Sequence, residues 1–375
     1  MTQGASGRLS PPTSPDRSGL DTLDAARAGR YHAPGMESST TTLAPARWPG
    51  LAQRVRATPR GFLYRALLGM GAYLVAMRLF QGTNRGEQTA MCAVMLSLVV
   101  WSAGTRRFFL GMLPFLLFGI VYDLTHITQP LFRYLHIHIA EPYAFDRALF
   151  GIREGGAVLT PNEYFGRHHW PLVDLVTGTS YIVFVYWAIG FAAYLALFRR
   201  DEEGRRLLAR FGWTFLLMNI VGFATYYVYP AAPPWYVADH GFGPPDFSVH
   251  SSPAGAARWD ELTGIPYFAA FYGRSADVFG AIPSLHVSYP LLTFLFGLEL
   301  RKRWLGAASF ALFALVSFAA VYLDHHYVLD VLLGVLYTVV AWGIDRFIQE
   351  RRTRRAGERP LVDGVATVPA HDKEG

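Results

Sequence analysis

Three short stretches of the sequence combine histidine, carboxylate and proline in patterns that can do chemistry. They are 229–236 (YPAAPPWY), 280–286 (GAIPSLH) and 324–330 (DHHYVLD). In the last, His326 and Asp330 are four residues apart. On a helix they would share a face, so the carboxylate could accept the imidazole Nδ1–H. The Nε2 lone pair would then be available as a nucleophile or a base.

The second stretch places His286 at an expected helix start. Ser284, preceded by a proline, is typical of a helix N-terminus. Free N–H groups and the positive end of the helix dipole attract anions there. Two helix starts carrying His286, His326 and Asp330 predict a catalytic site that binds a phosphate group. A zinc site that also uses His325 is the alternative.

The whole chain has the composition of a membrane protein. It has 375 residues, of which 52% are hydrophobic and 17% are charged, and its mean hydropathy is +0.21. Soluble domains carry about 25% charged residues. The single cysteine, Cys92, excludes an intrachain disulfide and a thiolate metal cluster. We therefore expect an all-α integral membrane protein.

Apolar stretches long enough to cross a bilayer define the fold, because a hydrocarbon core of about 30 Å needs about 20 apolar residues in a helix. Eight candidates cover residues 62–80, 89–105, 108–122, 175–198, 211–238, 278–298, 304–323 and 331–344. They predict a polytopic bundle of about eight transmembrane helices. Residues 1–58 are expected to form a disordered tail, 59–350 the catalytic domain and 351–375 a basic tail.

Basic residues are unevenly distributed among the connecting segments. The first group consists of segments 106–107, 199–210, 301–303 and 351–355. The second group consists of segments 125–171 and 230–283, which lie between members of the first group along the chain. The first group holds 14 Lys and Arg in 22 residues, whereas the second holds 6 in 101. The positive-inside rule then predicts a multi-pass cell-membrane protein with both termini in the cytoplasm. The three motifs would face the periplasmic, extracellular or luminal side. We interpret the basic tail as a membrane anchor and expect no nucleic-acid partner.

The motifs resemble those of the type 2 phosphatidic acid phosphatase superfamily, whose pattern is Lys-x6-Arg-Pro, Pro-Ser-x-His and Ser-Arg-x5-His-x3-Asp. Residues 283–286 match the second part, and His326-x3-Asp330 matches the end of the third. The sequence departs from this pattern at Ala319 and Ala320, which replace Ser-Arg. It also lacks the first part, where the proline-rich stretch 230–235 stands instead.

Within that superfamily, the proline-rich stretch and both histidine motifs are similar to the branch that contains fungal inositol phosphorylceramide synthase and its bacterial relatives. Residues 146–151 (DRALFG) also resemble an upstream element of the bacterial members. The resemblance covers about residues 125–345. It implies the six-helix core of the superfamily within the predicted bundle.

The resemblance implies a mechanism through phosphohistidine that needs no metal and no cofactor. His326 would attack phosphorus, Asp330 would orient it, and His286 would act first as an acid and then as a base. The implied partners are membrane lipids, namely a phospholipid donor and a hydroxyl-lipid acceptor. The oligomeric state stays open.

Further residues near the motifs are candidates for binding the substrate or its phosphate: Ser284, Arg274, His325, Tyr229 and Trp235. Arg274 could replace the missing cations of the superfamily, since Arg258 is the only other arginine in 230–283. A solvated loop position is the alternative for Arg274. An aromatic belt at the membrane interface is the alternative for Tyr229 and Trp235. We expect the remaining outer histidine pairs to be solvated or interfacial: His136 with His138, and His168 with His169.

The expected function is the transfer of a phospho-alcohol group, of the inositol-phosphate type, onto a lipid hydroxyl. A lipid phosphate phosphatase of the same superfamily is the alternative. A proton-coupled transporter is a more distant alternative, because the acids and histidines gather at one membrane face rather than near the midplane of several helices. A structural scaffold would not need His326 and Asp330 together.

Overall fold

The fold is almost entirely helical, and the computed structural model describes residues 50–81, 86–273 and 278–357. The first half contains the helices α1 (Leu51–Ala57), α2 (Arg60–Gln81), α3 (Gly86–Trp101), α4 (Ala103–Thr128), α5 (Ala140–Phe150), α6 (Pro161–Arg167) and α7 (Pro171–Phe198). The second half contains α8 (Glu202–Val228), α9 (Pro234–His240), α10 (Ala257–Thr263), α11 (Tyr267–Tyr272), α12 (Leu285–Glu299), α13 (Arg303–Tyr322) and α14 (Val328–Gly357). A hairpin of β1 (Ile152–Glu154) and β2 (Ala157–Leu159) lies between α5 and α6.

Six of the described helices are long and apolar enough to span a membrane, namely α2, α4, α7, α8, α13 and α14. Two further apolar helices are shorter: α3 has 16 residues and α12 has 15. At about 1.5 Å per residue, α12 is roughly 22 Å long, which is less than a hydrocarbon core of about 30 Å. All eight apolar stretches are thus helical in whole or in large part. The multi-pass membrane class is confirmed.

The bounds of three predicted spans were wrong, and one of them, 89–105, crosses the break at Ser102 between α3 and α4. The stretch 211–238 is not one helix, because α8 ends at Val228 and an extended segment precedes the short α9. Prolines at positions 230, 233 and 234 explain the break, since each lacks the N–H that a continuing helix needs. The stretch 278–298 begins in a loop, and its helix starts only at Leu285.

The two predicted tail boundaries also differ from the helices observed. The predicted tail 1–58 includes α1, and α14 continues to Gly357, beyond the predicted start of the basic tail at residue 351. The rest of both tails lies outside the described residues. The division into tail, domain and tail stays a prediction.

Helix α12 lies at the centre of the bundle and packs against α7, α8, α13 and α14. Aromatic side chains fill the space around it: Phe211 and Phe215 from α8 and Phe296 from α12 are fully buried. Aromatic rings of this size bury roughly 150–250 Å² each. This packing fixes the start of α12 relative to the start of α14, where the chemical motifs lie.

Candidate active site

The predicted catalytic residues form a chain of contacts. His286 Nδ1 lies 3.0 Å from His326 Nε2. On the other side of its ring, His326 Nδ1 lies 3.0 Å from the carbonyl oxygen of Ala281 and 3.3 Å from Asp330 Oδ2. An Nδ1–H that donates to these two oxygens leaves the Nε2 lone pair of His326 facing His286. The two motifs, 40 residues apart in sequence, therefore share one site.

One detail of the prediction was wrong, because His326 does not lie on the helix that carries Asp330. Helix α14 starts at Val328, so His326 precedes it by two residues. Asp330 Oδ2 accepts the backbone N–H of Tyr327 at 2.9 Å, which folds the turn back onto the first turn of the helix. The carboxylate still reaches the imidazole, through the turn rather than along a helix face.

The starts of α12 and α14 touch each other. The backbone N–H of Ser284 donates to the backbone oxygen of Asp330 at 3.0 Å. A Cβ at Gly334, one turn further along α14, would lie 2.3 Å from the Ser284 carbonyl oxygen. Only glycine permits this approach, because real Cβ contacts are never that short. The close approach brings His286 to His326.

Backbone hydrogen bonds join three loops beside the site. His138, Ala231 and Gly280 form parallel bridges. Ala231 N–H donates to the Phe279 oxygen at 2.9 Å and His138 N–H to the Pro230 oxygen at 2.8 Å. This small ladder holds the 280–282 segment in place. It therefore positions the Ala281 carbonyl that accepts from His326.

Asp146 anchors the helix that carries Asp330. Its two carboxylate oxygens accept the N–H groups of Val328 and Leu329 at 2.7 and 3.0 Å. These N–H groups belong to the first turn of α14 and have no partner within the helix. Burial raises the pKa of Asp146 to about 6. The DRALFG element thus acts on the site through the backbone of α14.

Asn162 holds the turn that carries His326. Its buried side-chain amide donates to the carbonyl oxygens of Val321 and His326, at 2.9 and 3.0 Å. In the same turn, Asp324 has a φ of 64°, a left-handed conformation in which Asp and Asn are enriched. Asn162 fixes this turn from the first turn of α6.

Several polar atoms around the site are buried and have no hydrogen-bond partner among the described residues: Ser284 Oγ, Asp330 Oδ1, His325 Nε2 and Tyr327 Oη. A buried polar group without a partner costs about 1–3 kcal/mol. Such atoms concentrated at one site indicate a place where a polar ligand completes the hydrogen bonds.

Two comparisons with known proteins identify the family of this chain. A family model described as the PAP2 superfamily matches residues 158–344. A phosphoinositol dihydroceramide synthase of Bacteroides thetaiotaomicron is 38% identical over 259 residues, which are 69% of this chain and 83% of that protein. The chain belongs to the PAP2 superfamily.

Two fungal proteins match shorter parts of this PAP2 chain. The inositol phosphorylceramide synthase of Candida albicans is 33% identical over 37% of the chain and 30% of its own length. The inositol phosphorylceramide synthase catalytic subunit AUR1 of Saccharomyces cerevisiae is 32% identical over 35% of the chain and 32% of its own length. The chain thus spans about a third of each fungal protein. A search of solved structures found no match.

His325, a predicted phosphate ligand in this PAP2 protein, lies in a stack of rings. Its imidazole stacks between Tyr181 and Tyr272, with centroid distances of 5.2 and 4.7 Å. Burial lowers the pKa of His325 to about 3, and its ring also interacts with the backbone of Pro253. Burial thus favours the neutral imidazole, and the role of His325 as a phosphate ligand stays a prediction.

The predicted aromatic ligands lie at two different places. Tyr229 stacks on His138 with ring centroids 3.7 Å apart, next to the ladder formed by His138, Ala231 and Gly280. Trp235 is buried in the core, and its backbone N–H donates to the Asp324 oxygen at 3.2 Å. Trp235 thus packs behind the catalytic turn.

The predicted arginine, Arg274, lies outside the described residues. The other arginine of that loop, Arg258, is paired with the buried carboxylate of Asp174 at 2.7 Å. Its guanidinium also lies over the Tyr322 ring, 5.3 Å from the centroid. Arg258 is thus engaged in the protein's own ion pair rather than directed at a phosphate.

The two remaining histidine pairs, 136/138 and 168/169, contact carboxylates. His168 Nε2 lies 2.6 Å from Glu154, and His138 Nδ1 lies 3.1 Å from Glu141. His136, His138 and Glu141 have ligand atoms within 4.8 Å of one another, as a metal site would need. His136 and Glu141 are exposed. The group does not include His286, His326 or Asp330.

Sequence reasoning missed two positioning residues. The DRALFG element indicated the region of Asp146 but not its contact with α14. Asn162 follows a Thr-Pro helix start and carries no signal of its own, because its partners lie 159 and 164 residues away.

Proposed function

We propose that this protein transfers an inositol-phosphate group from an inositol phospholipid to the hydroxyl of a ceramide-like lipid. The coverage of 83% of the Bacteroides thetaiotaomicron synthase supports this proposal, because it includes nearly the whole of that enzyme. The observation that carries it is the His286–His326 contact backed by Asp330 and Ala281. That arrangement suits a nucleophile beside its acid and base.

In the first step, the Nε2 lone pair of His326 attacks phosphorus and forms an N–P bond. The P–O bond to diacylglycerol breaks at the same centre. His286, in its doubly protonated form, gives a proton to the departing oxygen, and diacylglycerol leaves. Asp330 and the Ala281 carbonyl hold the Nδ1–H of His326 and stabilise the positive charge that the ring gains.

In the second step, His286 takes the proton of the acceptor hydroxyl. The acceptor oxygen forms a new P–O bond, and the N–P bond breaks. His326 returns to its neutral form and His286 to its protonated form, so the cycle closes without a net change in the protein. Holding the acceptor in line allows it to compete with water.

Donors from the helix starts support phosphate binding. The first turn of α12 begins at Leu285, and the side chain of its cap, Ser284, makes no cap hydrogen bond. The free N–H groups of that turn and the Ser284 hydroxyl are suitable donors to phosphate oxygens. We propose that they take over part of the role of the missing superfamily cations, with Arg274 as the remaining candidate.

We further propose that the site faces the non-cytoplasmic side and that both termini are cytoplasmic. The basic segments lie at the helix ends opposite His286 and Asp330, which supports this orientation. A membrane-impermeant thiol reagent tests it in intact cells. A cysteine at the exposed position of His250 should be labelled, and a cysteine at Glu203 should not. Labelling in the opposite sense would place the site in the cytoplasm.

The decisive assay uses the purified protein with phosphatidylinositol and ceramide. We expect an inositol-phosphate-containing sphingolipid and diacylglycerol, measured by mass spectrometry, to form faster than free inositol phosphate. Release of inorganic phosphate from phosphatidic acid, with no transfer to any lipid hydroxyl, would instead support the phosphatase alternative.

A further inference from the structure

An apolar cavity borders His286. Its volume is about 280 Å³, and eleven of its sixteen lining residues are Phe or Tyr. Its lining includes His286, Leu285 next to it in the chain, and Tyr181, whose ring stacks on His286 with centroids 4.4 Å apart. Among the residues that the structure describes, no carboxylate, lysine or arginine lines it. Such a surface suits a hydrocarbon chain whose polar end lies at His286.

The cavity extends between two spanning helices. Phe118 and Tyr122 come from α4, and Ile182 and Val185 come from α7. All four side chains are only half-buried, so the cavity reaches the surface of the helix bundle there. That surface lies along the apolar part of the candidate spans, where lipid chains would be the neighbours.

The volume of the cavity is small for a lipid-binding site. Ligand sites commonly measure roughly 300–1,000 Å³, so 280 Å³ lies at the lower limit. This space suits the first part of one lipid beside the reacting oxygen. It does not suit diacylglycerol and a ceramide together.

The reaction itself directs both lipids to the same place. In a displacement at phosphorus, the attacking and leaving atoms lie roughly in line. The oxygen that leaves in the first step is therefore opposite His326 Nε2, where His286 can protonate it. The second step reverses this geometry, so the acceptor oxygen enters where the first oxygen departed.

We propose that this cavity is a single lipid site, filled first by the diacylglycerol part of the donor and then by the hydroxyl-lipid acceptor. The inference rests on the proposed function and adds that the two lipids exclude each other. Diacylglycerol must leave the cavity before the acceptor can enter. The product therefore inhibits by occupying the place of the second substrate.

Product inhibition of the wild-type protein tests the proposal in detergent micelles with phosphatidylinositol, ceramide and dioctanoylglycerol. We expect parallel double-reciprocal plots for the two substrates. Dioctanoylglycerol should compete with ceramide and should inhibit in a mixed manner against phosphatidylinositol. Competition with phosphatidylinositol alone would indicate two separate lipid sites and would overturn the proposal, while the transferase function would stand.

A matched pair of variants connects the kinetics to the cavity. Val185→Phe narrows it, so we expect the KM for ceramide and the inhibition constant for dioctanoylglycerol to rise together, by about tenfold. Val340→Phe makes the same change on α14, in an apolar cavity whose lining contains no residue of the site, and should leave both constants unchanged. A rise in only one constant for Val185→Phe would contradict a shared site.

The failure of the proposed function has a different signature. If no hydroxyl lipid accepts the group from phosphatidylinositol, the transferase proposal is wrong and the shared site falls with it. If transfer occurs and the Val185→Phe variant behaves like Val340→Phe, only the shared site is wrong.

Discussion

The two ends of α12 carry two polar clusters of opposite character. Near its start, His286 belongs to a group with several buried polar atoms that have no partner among the described residues. At its end, Glu299 accepts two hydrogen bonds from Arg210, at 2.6 and 3.1 Å, and Arg210 also bonds to Asp345 of α14 at 2.5 and 2.9 Å. The Trp342 indole N–H donates to Glu299 at 3.2 Å.

The difference in hydrogen-bond pairing distinguishes a cluster that stabilises the bundle from one that can bind a substrate. The arginine cluster (Arg210, Glu299, Trp342 and Asp345) joins α8, α12 and α14 with groups that satisfy one another. The proposed catalytic cluster (His286, His326, Asp330 and Ser284) lies on the same bundle but keeps part of its hydrogen-bonding capacity unused. Complete pairing suits a cluster that holds helices together, and incomplete pairing suits one that awaits a ligand.

The largest expected effect comes from removing either histidine. His326→Ala and His286→Ala should each lower turnover by about 10³-fold or more, because each removes a step of the reaction that no other described residue supplies. The melting temperature of the purified variants should stay close to that of the wild type. Near-normal turnover in His326→Ala would contradict the assignment of the nucleophile.

Asp330→Asn should have the next largest effect. Asparagine keeps the size of the side chain but removes the charge that stabilises the His326 imidazolium. The Ala281 carbonyl, at 3.0 Å, still accepts the Nδ1–H and preserves the tautomer. We therefore expect a roughly 10²–10³-fold loss of kcat, measured with saturating lipids. A loss equal to that of His326→Ala would indicate that Ala281 does not hold the tautomer.

Asp146→Asn should cost about tenfold in kcat, because it acts through α14 rather than on the substrate. The amide accepts one backbone N–H but presents its own NH₂ to the other, so about 1 kcal/mol of capping is lost. The pKa of Asp146 is about 6, so the carboxylate gains its charge as the pH rises through this value. The ratio of wild-type to variant activity should therefore increase from acidic to neutral pH. A constant ratio would indicate that the charge of the cap does not matter.

The smallest effect on activity is expected at the other end of the bundle. Arg210→Ala removes the cation that bonds to Glu299 and Asp345, leaving Arg346, 3.7 Å from Glu299, as a weaker partner, and should destabilise the fold by about 2 kcal/mol. The kcat of the folded fraction should change by less than about twofold. Thermal unfolding and kinetics on the same preparation separate these quantities. A large loss of kcat without a loss of stability would overturn the distinction between the two clusters.

Much of this fold follows from the sequence, because the length of an apolar stretch is a local property. All eight apolar stretches contain a helix of the bundle, and the errors concern where helices begin and end, as at 230–234, where prolines prevent α8 from continuing. The His326–Asp330 contact was predicted from spacing, although the spacing acts through a turn. These features depend on neighbours in the chain.

What could not be predicted depends on distant partners. The second acceptor of His326 is a backbone carbonyl 45 residues away, and a carbonyl has no sequence signature. The role of Gly334 depends on where Ser284 comes to lie. The ion pair of Arg258 likewise depends on Asp174, which is 84 residues from it in the sequence.

The central claim is that His326 carries the transferred group, and trapping the intermediate tests it most directly. The purified protein is incubated with phosphatidylinositol in the absence of ceramide, digested at neutral pH and analysed by mass spectrometry. We predict an inositol-phosphate adduct on the peptide containing His326, which disappears when ceramide is added as the sphingolipid product forms. An adduct on the peptide containing His286, with His326 unmodified, would contradict the claim.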